Sequence, residues 1–138
     1  MTKPFTLRHG AHGFTLIELL IVLMCATVLT SVAWPSYQQH LLRSHRVNAC
    51  SALLQAAHWL ERSASANGSY PANADIPSSV ISVNGQRYAL QTSTTTQTYT
   101  LSAVPLGTQA QDACGTLTLN HLGERGVQNA TQSVASCW

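Results

Sequence analysis

From Phe14 to Trp34 the chain carries an apolar run of 21 residues in which Glu18 is the single charge. No other feature of the sequence restricts the fold as much. Coiled as a helix, the run rises about 31 Å, close to the ~30 Å hydrocarbon thickness of a bilayer. It therefore reads as a membrane-spanning helix. Lys3, Arg8, His9 and His12 lie before it. Positive charge is retained on the cytoplasmic side, which places everything after Trp34 outside. A cleavable secretory signal would be shorter and would end in a small-x-small site. Here Ser31-Val32-Ala33 leads straight into Trp34-Pro35, so the helix is expected to stay on the mature chain.

With 138 residues and about fifty committed to one helix, the remainder has room for one small domain. Such a body buries a low fraction of its apolar surface and calls for a staple, for which cysteine is the candidate. The formal charge of +2 is carried by the first residues. After Gly13, Arg43, Arg46, Arg62, Arg87 and Arg125 stand against Glu18, Glu61, Asp75, Asp112 and Glu124. That balance shows no clustered basic face, so nucleic acid is not the default partner.

Pro35 lacks an N–H and crowds the preceding turn, so it should bend the helix where it leaves the membrane. Beyond it, Leu42, Ala49, Leu53, Ala56 and Leu60 recur near a 3.6-residue period, with Arg43, Gln55, Glu61 and Arg62 off the stripe. The second half of the helix, to about Ser63, is thus amphipathic and packs on something. Residues 87–91, 98–104 and 115–120 alternate and are rich in threonine and tyrosine, which predicts three strands of an antiparallel meander. Residues 92–98 and 105–111 are the expected connections. Residues 64–79 read as a surface loop, with a short strand at 80–83 closed by Asn84-Gly85. Gly123 and Gly126 are expected at turns around Glu124-Arg125.

Gly13-Phe14-Thr15-Leu16-Ile17-Glu18, after a short basic leader and at the head of the apolar helix, resembles the processing and assembly motif of bacterial type IV prepilins. The resemblance continues through Pro35-Ser36-Tyr37, Cys114-Gly115-Thr116-Leu117-Thr118-Leu119, Gly123-Glu124-Arg125-Gly126 and Cys137-Trp138. It implies an α+β type IV pilin fold, with a long N-terminal helix packed on a small antiparallel sheet. The implied division is a leader at 1–13, a transmembrane and filament-core half-helix at 14–35, and a head at 36–138. It further implies cleavage by a prepilin peptidase after Gly13, methylation of Phe14, and a role for Glu18 in attracting the N-terminal amine of an adjacent subunit. The partners would be other major and minor pilins through the N-terminal helix. The precursor would sit in the inner membrane with its head in the periplasm, and the assembled subunit in an extracellular pilus.

Four cysteines are present, of which Cys25 lies in the apolar helix, leaving three for the head. The resemblance implies a Cys114–Cys137 bond and leaves Cys50 over. It is nearest to the minor pilins that resemble the major subunit, and two alternatives share its features. One is a DNA-uptake pilin, in which Arg87, Arg125, Tyr88 and Trp138 supply phosphate contacts and base stacking. The other is a type II secretion pseudopilin, which the terminal disulfide and the scarcity of acids for a calcium loop disfavour. No cofactor or metal site is expected, since His40, His45, His58 and His121 show no ligand spacing. Neither a phosphate loop nor a nucleophile elbow is legible, so the chain reads as a non-enzyme.

Overall fold

The computed structural model describes residues 13–138, so the expected leader, with Lys3 and Arg8, lies outside the described residues apart from Gly13. One long helix, α1 (Leu16–Asn67), crosses the boundary at Gln38–Gln39 between two compact units. In the N-terminal unit α1 opens on a reciprocal cap. The Glu18 backbone N–H donates to Thr15 Oγ1 at 3.3 Å, and the Thr15 N–H donates to Glu18 Oε2 at 3.5 Å. Thr-x-x-Glu is the capping-box spacing, which satisfies two of the orphan amides at a helix start. Farther along, the hydroxyls of Thr27, Thr30 and Ser31 donate to carbonyls one turn back, so the polar groups of the apolar half are satisfied within the helix.

In the second unit the sheet is a four-stranded antiparallel meander: β1 (Tyr88–Thr94), β2 (Tyr99–Pro105), β3 (Thr116–Asn120) and β4 (Arg125–Gln128), in that spatial order. The three expected strands are present. β1 runs to Thr94, three residues past the expected end, because Asn73 Oδ1 accepts from the Thr94 N–H and from the Thr92 and Thr94 hydroxyls, all at 3.1 Å. The fourth strand corrects the reading of Gly126 as a turn residue. Gly126 lies in β4 opposite Thr118, and a Cβ there would run into the Thr118 hydroxyl, whereas Gly123 does form the β3–β4 turn at φ +77°. The expected strand at 80–83 is also absent among the described residues. That stretch is a turn after Pro77, with Ser82 Oγ bonded back to the Ser79 carbonyl.

Ala49, Leu53, Ala56 and Leu60 of α1 join Tyr88, Leu90, Leu101, Ala103, Leu117 and Leu119 of the sheet in one core, closed by Ile76 and Val83. Alternation along the strands and the 3.6 period along α1 place all of them on facing surfaces. A short helix, α2 (Val134–Cys137), ends in Cys137, which is bonded to Cys114 with a Cα–Cα distance of 5.6 Å. The expected pairing is present.

Candidate functional site

The N-terminal unit presents its chemistry as bare apolar surface. Phe14, Leu16, Ile17, Leu19, Leu20, Ile21, Val22, Leu23 and Met24 are all more than half exposed, from 53% at Leu20 to 78% at Phe14. Such a continuous patch is stable only under lipid or another chain. Glu18 lies among these residues, and its described hydrogen bonds reach back to Thr15. Pro35 stands inside α1, which continues on both sides of it.

The head places a second surface on the side of α1 that carries Arg43, Arg46, Val47, Cys50 and Leu54. These are spaced at three, four, seven and eleven residues from Arg43, which is one helix face. With Arg125 of β4 and Ser136, Cys137 and Trp138, they line a groove of about 290 Å³. The Trp138 indole N–H donates to the Gly126 carbonyl at 3.0 Å, which fixes the ring, and the Arg125 guanidinium sits 5.2 Å above it in a cation–π contact. No acidic residue lines the groove.

Arg46 is the interior member. Its Nε pairs with Asp112 Oδ2 at 3.1 Å, and its Nη1 donates to Cys114 Sγ at 2.7 Å and to the Ser136 carbonyl at 3.2 Å. Asp112 in turn accepts from Gln109 Nε2 at 3.1 Å and from the Tyr88 hydroxyl at 3.3 Å. The same Gln109 amide donates to the Leu42 carbonyl at 3.1 Å. Burial pushes the Tyr88 phenol up to about 12; the neighbouring Asp112 charge adds to the shift, while the bond from Gln109 opposes it. This network ties α1 to β1 and to the disulfide-bounded segment.

Of the four residues expected to contact nucleic acid, the fold brings Arg125 and Trp138 together. Arg87 is exposed at the start of β1 but does not line the groove, and Tyr88 is 3% exposed with its hydroxyl engaged, so no base can stack on it. Sequence reasoning missed Arg43, Arg46 and Cys50 as groove residues. Their spacing was the available signal, but which side of the stripe faces α2 and β4 is a tertiary fact.

Residues 35–118 match the family model described as "Type IV minor pilin ComP, DNA uptake sequence receptor". The chain belongs to the type IV minor pilin family. Because the match covers most of the head, it does not depend on the N-terminal motif that secretion pseudopilins share. Residues 8–34 of this minor pilin match the prokaryotic N-terminal methylation motif. Among solved structures, it is similar to a type IV pilin from Shewanella oneidensis, at 34% identity over 70% of this chain and 97% of that one, with a TM-score of 0.54. It shares its fold with the non-core minor pilin PilV of Neisseria meningitidis, at 21% identity over 69% of this chain and 94% of that one, with a TM-score of 0.55. No curated protein matches. The molecule is a minor subunit of the type IV pilus, and its family is one of structural proteins.

Proposed function

We propose that this minor pilin acts by inserting its apolar half-helix among those of other pilins, where it primes or joins the filament. The exposed apolar face from Phe14 onward carries the reading, because it needs lipid before assembly and neighbouring helices afterwards. Before assembly the chain would be an inner-membrane protein with its head in the periplasm, and afterwards part of the extracellular pilus. A prepilin peptidase would cut after Gly13, leaving Phe14 with a methylated amine. No catalytic role is assigned to any residue. Glu18 has a distinct part. Its Oε2 contact with Thr15 is long, at 3.5 Å, and in hydrocarbon the carboxylate needs a stronger partner, which the Phe14 amine of an adjacent subunit would supply.

The cap and the charge can be separated. Glutamine also serves in a capping box, so Glu18→Gln keeps the helix start and removes the charge. Under this reading, Glu18→Gln and Glu18→Ala both leave cleavage and head folding intact while incorporation into sheared pili falls at least about tenfold, a loss of ~1.4 kcal/mol or more. Wild-type amounts of Glu18→Gln protein in sheared pili would sink it. Intact-mass analysis of the same pili checks the mature start at Phe14.

A second reading, a pilus-borne DNA receptor, is favoured by the description of the matching family and by the groove of Arg43, Arg46, Arg125 and Trp138. Each phosphate contact contributes about 0.9 to the salt slope of binding to duplex DNA. Arg43→Gln combined with Arg125→Gln should then lower both affinity and slope in a mobility-shift titration of the purified protein. A deletion strain that is normally piliated but not transformable would support this reading, whereas loss of both traits would support the assembly role.

A further inference from the structure

Cys50 is the one thiol of the head outside the disulfide, and it lies half-buried within the arginine-lined groove. Its Sγ is 4.0 Å from the Cys137 carbonyl, so it sits beside the staple and opens toward the same depression as Arg43, Arg125 and Trp138. Among the described residues, Arg46 has its acid in Asp112, while Arg43 and Arg125 form no salt bridge. The carboxylate next to Arg125 in sequence, Glu124, is engaged by the Asn120 amide at 2.6 Å. A thiol, two guanidinium groups with no carboxylate partner, one of them stacked on the indole, and exposed Val47 and Leu54 thus meet in about 290 Å³ with no acid on the wall.

We propose that this groove is a thiol-capture site, in which Cys50 forms a mixed disulfide with small disulfides that carry carboxylates. Arg43 and Arg125 hold the carboxylates, as bidentate guanidinium geometry favours. The Cys50 thiol loses its proton to solvent, and the thiolate attacks one sulfur of the incoming disulfide. That S–S bond breaks, a new bond joins Cys50 to one half, and the other half departs as a thiolate that solvent protonates. The small disulfide is the oxidant, so the exchange balances without another reagent. Burial raises the Cys50 thiol above its ordinary range, with Arg46 and Arg125 opposing the rise. A neutral disulfide therefore meets a sluggish thiol, whereas an anionic one is concentrated by the arginines. Capping also removes the free nucleophile beside Cys137. None of this depends on whether the groove also takes nucleic acid.

The test uses the full chain in detergent micelles with Cys25→Ala, so that Cys50 is the reactive thiol. Its rates with the dianionic dithiobis(nitrobenzoate) and with the neutral dithiodipyridine are followed by thiolate absorbance, and the adduct is located by peptide mass. Arg43→Gln with Arg125→Gln should slow the dianionic reagent about tenfold, in the range expected of electrostatic attraction, and leave the neutral reagent nearly unchanged. The paired lysine variants should restore the rate, and added salt should erase the preference. Glutathione disulfide should leave its adduct on Cys50. Equal slowing of both reagents, no slowing of either, failure of glutathione disulfide to modify Cys50, or reaction only after unfolding would each overturn the proposal. Both arginines are exposed and Arg46 is left untouched, and the neutral reagent reports any rearrangement that follows loss of the Arg125 contact with Trp138.

Discussion

Arg46 is the side chain on which the head most depends. Its partner Asp112 is only 4% exposed, so removing the guanidinium strands a carboxylate away from water. Breaking a buried pair from one side typically costs about 3–5 kcal/mol, more than the pair itself contributes. Arg46→Ala should therefore lower head stability by about 3 kcal/mol in denaturant titration, and adding Asp112→Ala should recover part of the loss, because the two share one network. Tyr88 gives the same network a pH signature. Its folded phenol is pushed up to about 12, against an ordinary value near 10, so the fold binds that proton more tightly than the unfolded chain does. The stability it contributes is fully present below about pH 10 and is lost as pH rises through about 12. Melts across that window should show a fall that Tyr88→Phe blunts. Tyr99 is also raised by burial and shares the direction, so the blunting will be partial.

At the scale of elements, α1 and three of the four strands were legible because their signals are local. Tyr99-Thr100-Leu101-Ser102-Ala103 alternates as a half-buried strand must, whereas the Thr-x-x-Glu spacing at Thr15 and Glu18 went unread and the cap emerged only in the structure. β4 was hidden because a four-residue strand with glycine inside it has too short a pattern to outweigh its turn-like composition. It forms because β3 offers it an edge. Gly115, which enters β3, sits at φ +53°, where a Cβ would press on the carbonyls of Gln128 and Asn129. Alanine there combines left-handed strain with a backbone clash. Gly115→Ala should cost at least about 2 kcal/mol, seen as a lowered Tm, whereas the same change at Gly123, which has open space around it, should cost less.

For the whole molecule, the disulfide decides whether the head persists. Cys114 and Cys137 are separated by 23 positions, and closing a loop of that size restricts the unfolded chain by about 3–4 kcal/mol. Whole domains are stable by only about 5–15 kcal/mol, so Cys137→Ser should reduce the amount of folded head and the number of surface pili. Immunoblots of sheared pili and thermal melts of the purified chain would check both. The variant also frees Cys114, whose sulfur rests on Arg46, so peptide mapping should be done under alkylation to prevent new pairing with Cys50.

The apolar half-helix, the amphipathic stripe and three of the strands are written in the sequence, since each is a pattern repeated over a few residues by helix or strand geometry. The family motif and the Cys114–Cys137 pairing were legible through resemblance. Tertiary packing sets which side chains meet across the chain. It buries Tyr88, which the DNA-uptake alternative needs at the surface, joins Arg46 to Asp112 across the fold, and sets Arg125 over Trp138 beside Cys50. Contacts of that kind depend on how α1 rolls on the sheet and where the disulfide draws the C-terminal segment. No local periodicity encodes either, because both are settled by the packing of the whole core.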